Sequence, residues 1–182
     1  EQELRKYLDN YIYGVDDDTL AVALGKMLLD KGRTIAFAES CSGGLASSLI
    51  TDVAGSSEYL LGSVVTYTNM AKNKLINVQQ DTLDRYGAVS RETACEMAVG
   101  VRRLLGSDYG VSITGNAGPG GSEGKPVGLV YIAVATEDAI YCQEHHYTST
   151  RTENKLRIAL TANSMVIDKI LEENRETTED NN

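Results

Sequence analysis

Only two histidines, adjacent at His145 and His146, and three cysteines, Cys41, Cys95 and Cys142, occur among the 182 residues. So small a supply of imidazole leaves a His-built zinc site or a Ser-His-Asp triad poorly supplied. The adjacent pair reads as strand neighbours pointing to opposite faces. Any hydrolytic chemistry here therefore needs another base. Three cysteines with no short repeated spacing exclude a CxxC metal knuckle and a disulfide framework, and they fit a reducing compartment. No three-ligand set with metal-site spacing is visible, so neither a metal nor another cofactor is expected. No apolar run approaches the roughly 20 residues of a membrane span, and Glu1-Gln2-Glu3 resembles no signal peptide. A cytoplasmic protein with no membrane partner is the expectation. Basic blocks and basic–aromatic interleaving are also missing, which argues against direct nucleic-acid binding. Tryptophan is absent, phenylalanine occurs once and proline twice; no repeat or low-complexity linker interrupts the chain.

What is present suits one folded domain. Hydrophobic residues make up 42% and charged residues 24%, which excludes wholesale disorder. The net charge of −9 lies mostly at the ends. Residues 1–18 and 172–182 each carry −4, so the remaining 19–171 is close to neutral at −1. The first 18 residues read as a linker or the remnant of a preceding domain, 19–171 as the folded unit, and 172–182 as a polar, frayed tail. Because the chain starts without Met, a covalently linked N-terminal domain in a longer protein is an expectation.

Helix and strand patterns alternate. Asp16 to Thr19 supply capping side chains, then Leu20, Ala23, Leu24, Met27 and Leu28 follow at helical spacing until Gly32. Strands are expected at 34–38, 63–68 and 109–114, and a hairpin at 127–136 and 140–147. Helices are expected at 45–53, from Asn69, at 81–86, and at 91–105 behind a Ser90 cap. A last helix at 152–171 places Leu156, Ala159, Leu160, Asn163, Val166, Ile167 and Ile170 on one face. Alternation with one hairpin implies an α/β fold, a three-layer α/β/α sandwich with a mixed central sheet. Two unusual loops, 40–44 and 115–121, each follow a strand and should open at its carboxyl edge, where ligands gather in such folds.

Those loops carry the chemistry. Glu39-Ser40-Cys41-Ser42-Gly43-Gly44 turns a strand into a helix, whose free N–H groups can hold a phosphate or an oxyanion formed when a serine attacks a carbonyl. Ser40 is the first candidate nucleophile and Ser42 the second. Tyr67 lies at a strand end, and Lys72 lies one turn into the next helix. A lysine in a desolvated cleft loses pKa and can serve as the base that histidine cannot supply. Thr114-Gly115-Asn116-Ala117-Gly118-Pro119-Gly120-Gly121 is too glycine-dense for a plain connector and suits close backbone approach to phosphate or carboxylate. Arg151 and Lys155 begin the last helix, where a phosphate would pair with them.

In this order, Ala38 to Gly44, Asp52 to Ser57, Val65 to Lys72, Gly87 to Ser90, Gly115 to Gly121 and Lys125 to Gly128 resemble the CinA C-terminal domain family. The resemblance covers about 19–171. It extends to Ile12-Tyr13-Gly14-Val15-Asp16-Asp17, which looks like the joint preceding this domain in full-length members. Three departures stand out: Ser42 where many relatives have Thr, Asn116 in place of a small or aliphatic residue, and Ser149-Thr150-Arg151 in place of Gly-Asp-Arg. The resemblance implies a nicotinamide-nucleotide amidase, which hydrolyses nicotinamide mononucleotide to nicotinate mononucleotide and ammonia in pyridine nucleotide recycling. It assigns Ser40 as nucleophile, Lys72 as base and Tyr67 as an orienting or relaying hydroxyl, with the amides around Ser42 to Gly44 as oxyanion hole. Substrate contacts are implied for Glu39, Gly43, Gly44, Asn69, Thr114, Gly115, Gly118, Gly120, Gly121 and Arg151. A homo-oligomer acting on a small nucleotide is expected. The alternatives are a non-catalytic nucleotide-binding domain and an amidase for another small carboxamide.

Overall fold

Helix α1 (Leu20–Lys31) begins where the Thr19 hydroxyl accepts the Val22 N–H and ends at Gly32, whose N–H closes on the Leu28 and Leu29 carbonyls. Strand β1 (Ile35–Glu39) follows, buried along its whole length, then α2 (Leu45–Thr51) and a short 3-10 turn (Ser56–Glu58). Next come β2 (Leu60–Val65), α3 (Asn69–Ile76), α4 (Gln80–Tyr86) and α5 (Arg91–Leu105). The chain finishes with β3 (Tyr109–Gly115), β4 (Leu129–Ala135), β5 (Ile140–His146) and α6 (Arg151–Glu179). These elements come from a computed structural model that describes residues 18–179; the expected domain joint at 12–17 lies outside them.

The sheet order is β2-β1-β3-β4-β5. β1 runs parallel to β2 and β3, whereas β3, β4 and β5 form an antiparallel meander. The expected three-layer mixed sandwich is therefore what forms. On one face Phe37, Val111, Ile113, Ile132 and Val134 meet Leu24 and Leu28 of α1, Ile50 of α2, and Ile158, Val166 and Ile170 of α6. On the other face the strands offer small residues, Ala36, Ala38, Ala133 and Ala135, to α5. That smallness sets the distance of closest approach: a Cβ at Gly110 of β3 would stand 2.2 Å from the Ala98 carbonyl oxygen.

Three expectations need correction. β2 ends at Val65 rather than Thr68, because its partner β1 ends at Glu39 opposite Val65. Thr66 N–H makes one last bond to the Glu39 carbonyl, and Thr68 already caps α3 by accepting the Ala71 N–H. The supposed frayed tail is instead helical to Glu179; the Tyr109 hydroxyl donates to Glu173 at 2.6 Å and ties that turn to the sheet. The inward face of α6 also differs. Ile158, Ala159 and Ala162 are buried, while Leu156 and Leu160 are 45% and 39% exposed.

Candidate active site

β1, β2 and β3 all point their carboxyl ends to one edge, and each delivers a segment there. β1 leads into the 40–44 turn. Ser40 N–H donates to the Ile113 carbonyl and Gly43 N–H to the Ser40 carbonyl. Gly43 and Gly44 have φ of 67° and 94°, a left-handed pair that side-chain-bearing residues resist. Beneath the turn lies Glu39, with no solvent exposure. Its carboxylate accepts the N–H groups of Gly44, Ala46 and Ser47 and the Ser47 hydroxyl, at 2.7–3.1 Å. Negative charge at a helix start is favourable, and three otherwise orphaned donors are satisfied. This arrangement does not fit Glu39 as a substrate contact. It also consumes the Gly44 N–H expected in the oxyanion hole; with Gly43 N–H turned back on Ser40, Ser42 N–H is the remaining donor of that group.

The link between Ser40 and Lys72 comes from the second segment. Lys72 is 1% exposed. Its Nζ donates to the Thr66 carbonyl at 2.8 Å and stands 3.1 Å from Ser40 Oγ. Burial pulls its pKa down to about 8, against small opposing effects from Cys41 and Glu123. In the ammonium form Nζ donates to Ser40 Oγ; in the neutral form its lone pair can accept the serine proton across the same contact. Ser42, by contrast, is fully buried and its Oγ has no hydrogen-bond partner. Of the two serines, Ser40 alone has the base beside it. Cys41 is no rival nucleophile, since burial pushes its thiol up to about 12.

Tyr67 is 60% exposed and its hydroxyl accepts from Arg151 Nη2 at 3.1 Å. Its hydroxyl is engaged by Arg151, and the Ser40–Lys72 contact is made without it. Arg151, the first residue of α6, also donates through Nη1 to the Gly118 carbonyl and so joins the glycine-rich loop to Tyr67. Lys155 Nζ lies 3.6 Å from where a Cβ on Gly43 would be, which brings a second cation to the turn. Asn69 is exposed at the start of α3.

Within the third segment, Thr114, expected to touch substrate, holds the loop instead. Thr114 is 1% exposed and donates to the Ala88 carbonyl. A Cβ on Gly115 or Gly121 would strike the Leu129 or Lys125 carbonyl. Gly120 faces open space, whereas Gly118 is buried and its carbonyl accepts from Arg151. The sequence reading passed over Glu123, whose carboxylate accepts the Ala88 and Val89 N–H groups; Lys125 Nζ donates to the Tyr86 and Val89 carbonyls. Together they dock the 115–128 loop on the segment before α5. The Thr66 carbonyl was also missed, because a backbone acceptor leaves no mark in side-chain chemistry. Among the described residues, no group of three His, Cys, Asp or Glu is placed to hold a metal ion, and no helix is long and apolar enough to cross a membrane.

A mixed α/β sandwich with a buried serine–lysine pair at the carboxyl edge of its parallel strands is the class that fold and site define. The family model described as the CinA C-terminal domain matches residues 17–170, and the chain belongs to that family. A CinA-like protein of Endomicrobium trichonymphae is 46% identical over 165 residues, which are 90% of this chain and 39% of that protein. A CinA-like protein of Prochlorococcus marinus is 43% identical over 178 residues, covering 90% and 42%. This chain thus spans about two fifths of the length of these curated relatives. Among solved structures, the competence/damage inducible protein CihA of Agrobacterium tumefaciens is 37% identical with a TM-score of 0.76, covering 85% of this chain and 98% of that one. A CinA superfamily protein of Klebsiella pneumoniae is 28% identical with a TM-score of 0.82, covering 84% and 96%.

Proposed function

We propose that this domain is a serine–lysine amidase that hydrolyses the carboxamide of nicotinamide mononucleotide, releasing ammonia and nicotinate mononucleotide. The observation that carries the reading is the 3.1 Å contact between Ser40 Oγ and a buried Lys72 whose pKa is drawn down to about 8. Neutral Lys72 takes the Ser40 proton as Oγ attacks the amide carbon. The Ser42 N–H is the donor left in the 40–44 turn for the oxyanion that forms, and because Ser42 is fully buried the turn must open for a substrate oxygen to reach it. Protonated Lys72 then returns its proton to the departing nitrogen, and ammonia leaves an ester on Ser40. Water, deprotonated by the same lysine, frees the carboxylate and restores the serine. The Thr66 carbonyl holds one Nζ proton, and one of the two other Nζ positions faces Oγ. Arg151, Lys155 and the open side of Gly120 offer cationic and backbone donors to the nucleotide phosphate.

The test is ammonia release from nicotinamide mononucleotide, with Ser40→Ala as the paired variant. The reading expects turnover by the native chain and none by Ser40→Ala, with nucleotide binding kept. Binding without turnover in both proteins would make this a binding module instead.

A further inference from the structure

We propose that Cys95 and Cys142 form a thiol pair that a small disulfide converts reversibly into a disulfide bond between α5 and β5. Neither takes part in the chemistry at Ser40, and neither is in a disulfide in this structure. Cys95 lies in the second turn of α5. Cys142 lies opposite Ala133 on β5 and packs against Ala94 and Ala98 of the same helix. The Cys142 thiol lies close enough to Cys95 to donate to it. The backbone is held there too, since Arg91 Nη1 donates to the Cys142 carbonyl at 2.6 Å. Cys95 also borders a surface cavity of about 410 Å³, with Val99, Leu104 and Ile140 as apolar walls and Arg103 and Glu96 at the polar side. A small disulfide can reach the sulfur through that opening, and Arg103 offers a cation to a carboxylate it carries.

The polarity of the pair sets which thiol reacts first. The hydrogen bond from Cys142 brings the Cys95 thiol down to about 7, with help from Arg91 and against burial, Glu92 and Glu96. Cys142 is pushed up by the same bond and by burial. Cys95 thiolate therefore attacks one sulfur of the small disulfide; its S–S bond breaks, and one thiolate leaves and takes a proton from solvent. Cys142 then attacks the Cys95 sulfur of the mixed disulfide and passes its proton to the second leaving thiolate. Two protein thiols are oxidised by two electrons, and one small disulfide is reduced to two thiols.

The test incubates the intact chain with glutathione disulfide, blocks free thiols with iodoacetamide, and maps the digest by mass spectrometry. The expected product is a Cys95–Cys142 cross-linked peptide that dithiothreitol removes. Cys142→Ser should stop at a glutathione adduct on Cys95, and Cys95→Ser should leave Cys142 unmodified. Without oxidant at pH 7, Cys95 should alkylate about ten-fold faster than Cys142. Full alkylation of both thiols after oxidation, or a lasting glutathione adduct on native Cys95 without the cross-link, would overturn the proposal.

Discussion

Glu39 shows how one buried side chain prepares a site it never touches. Its four hydrogen bonds fix the start of α2 and the turn bearing Ser40. Glu39→Gln keeps the shape but turns one acceptor into an NH2 group facing donors. The expected cost is about 1–3 kcal/mol of stability, the range for leaving buried polar groups unsatisfied, read as a lower urea midpoint at unchanged slope. An unchanged midpoint would mean the carboxylate is not holding the turn. Arg151 acts at the other end of the site, where it joins Gly118 to Tyr67. If it also meets the phosphate, Arg151→Ala should cut kcat/KM for the mononucleotide about 10- to 100-fold, as expected for loss of a charge-assisted contact of roughly 1.5–3 kcal/mol. The rate on nicotinamide riboside should barely move. Equal losses on both substrates would remove Arg151 from phosphate recognition.

The glycine-rich loop is an element held by its own charged pair. Glu123 accepts two N–H groups before α5, and Lys125 donates to two carbonyls beside them. Glu123→Ala should release the loop while leaving the sheet intact. Two readouts follow: limited proteolysis within 117–124 should become markedly faster, and KM for the mononucleotide should rise with a smaller change in kcat. Unaltered proteolysis would show that Lys125 alone keeps the loop docked.

Across the whole molecule, the alternation of helical and strand periods made the layers legible, because each amphipathic face must be buried against a neighbour. The two loops were legible as site elements because parallel strands share a carboxyl edge. Side-chain direction was not. Ser40 and Ser42 look alike in sequence, yet the turn aims one at Lys72 and buries the other. The resemblance gives Tyr67 a role beside Lys72, whereas the hydrogen bond its hydroxyl makes is to Arg151. Glu123 escaped notice because its contacts reach back some 35 residues, and no local pattern encodes them. The span of α6 was underestimated for the same reason, since Glu173 is held by Tyr109 from another strand.

What remains to be tested is whether the Ser40–Lys72 contact works as nucleophile and base. Lys72 must lose its proton before it can accept one from Ser40, so the rate depends on the neutral fraction. The direct measurement is the pH dependence of ammonia release from nicotinamide mononucleotide. The rate should climb about ten-fold per pH unit on the acid side and level off above pH about 8, where burial places the lysine. Lys72→Arg should abolish both limb and turnover, because a guanidinium keeps its proton. A Lys72→Arg enzyme that retains most of the native rate would contradict the account, since the lysine would then be serving as a charge and not as a base.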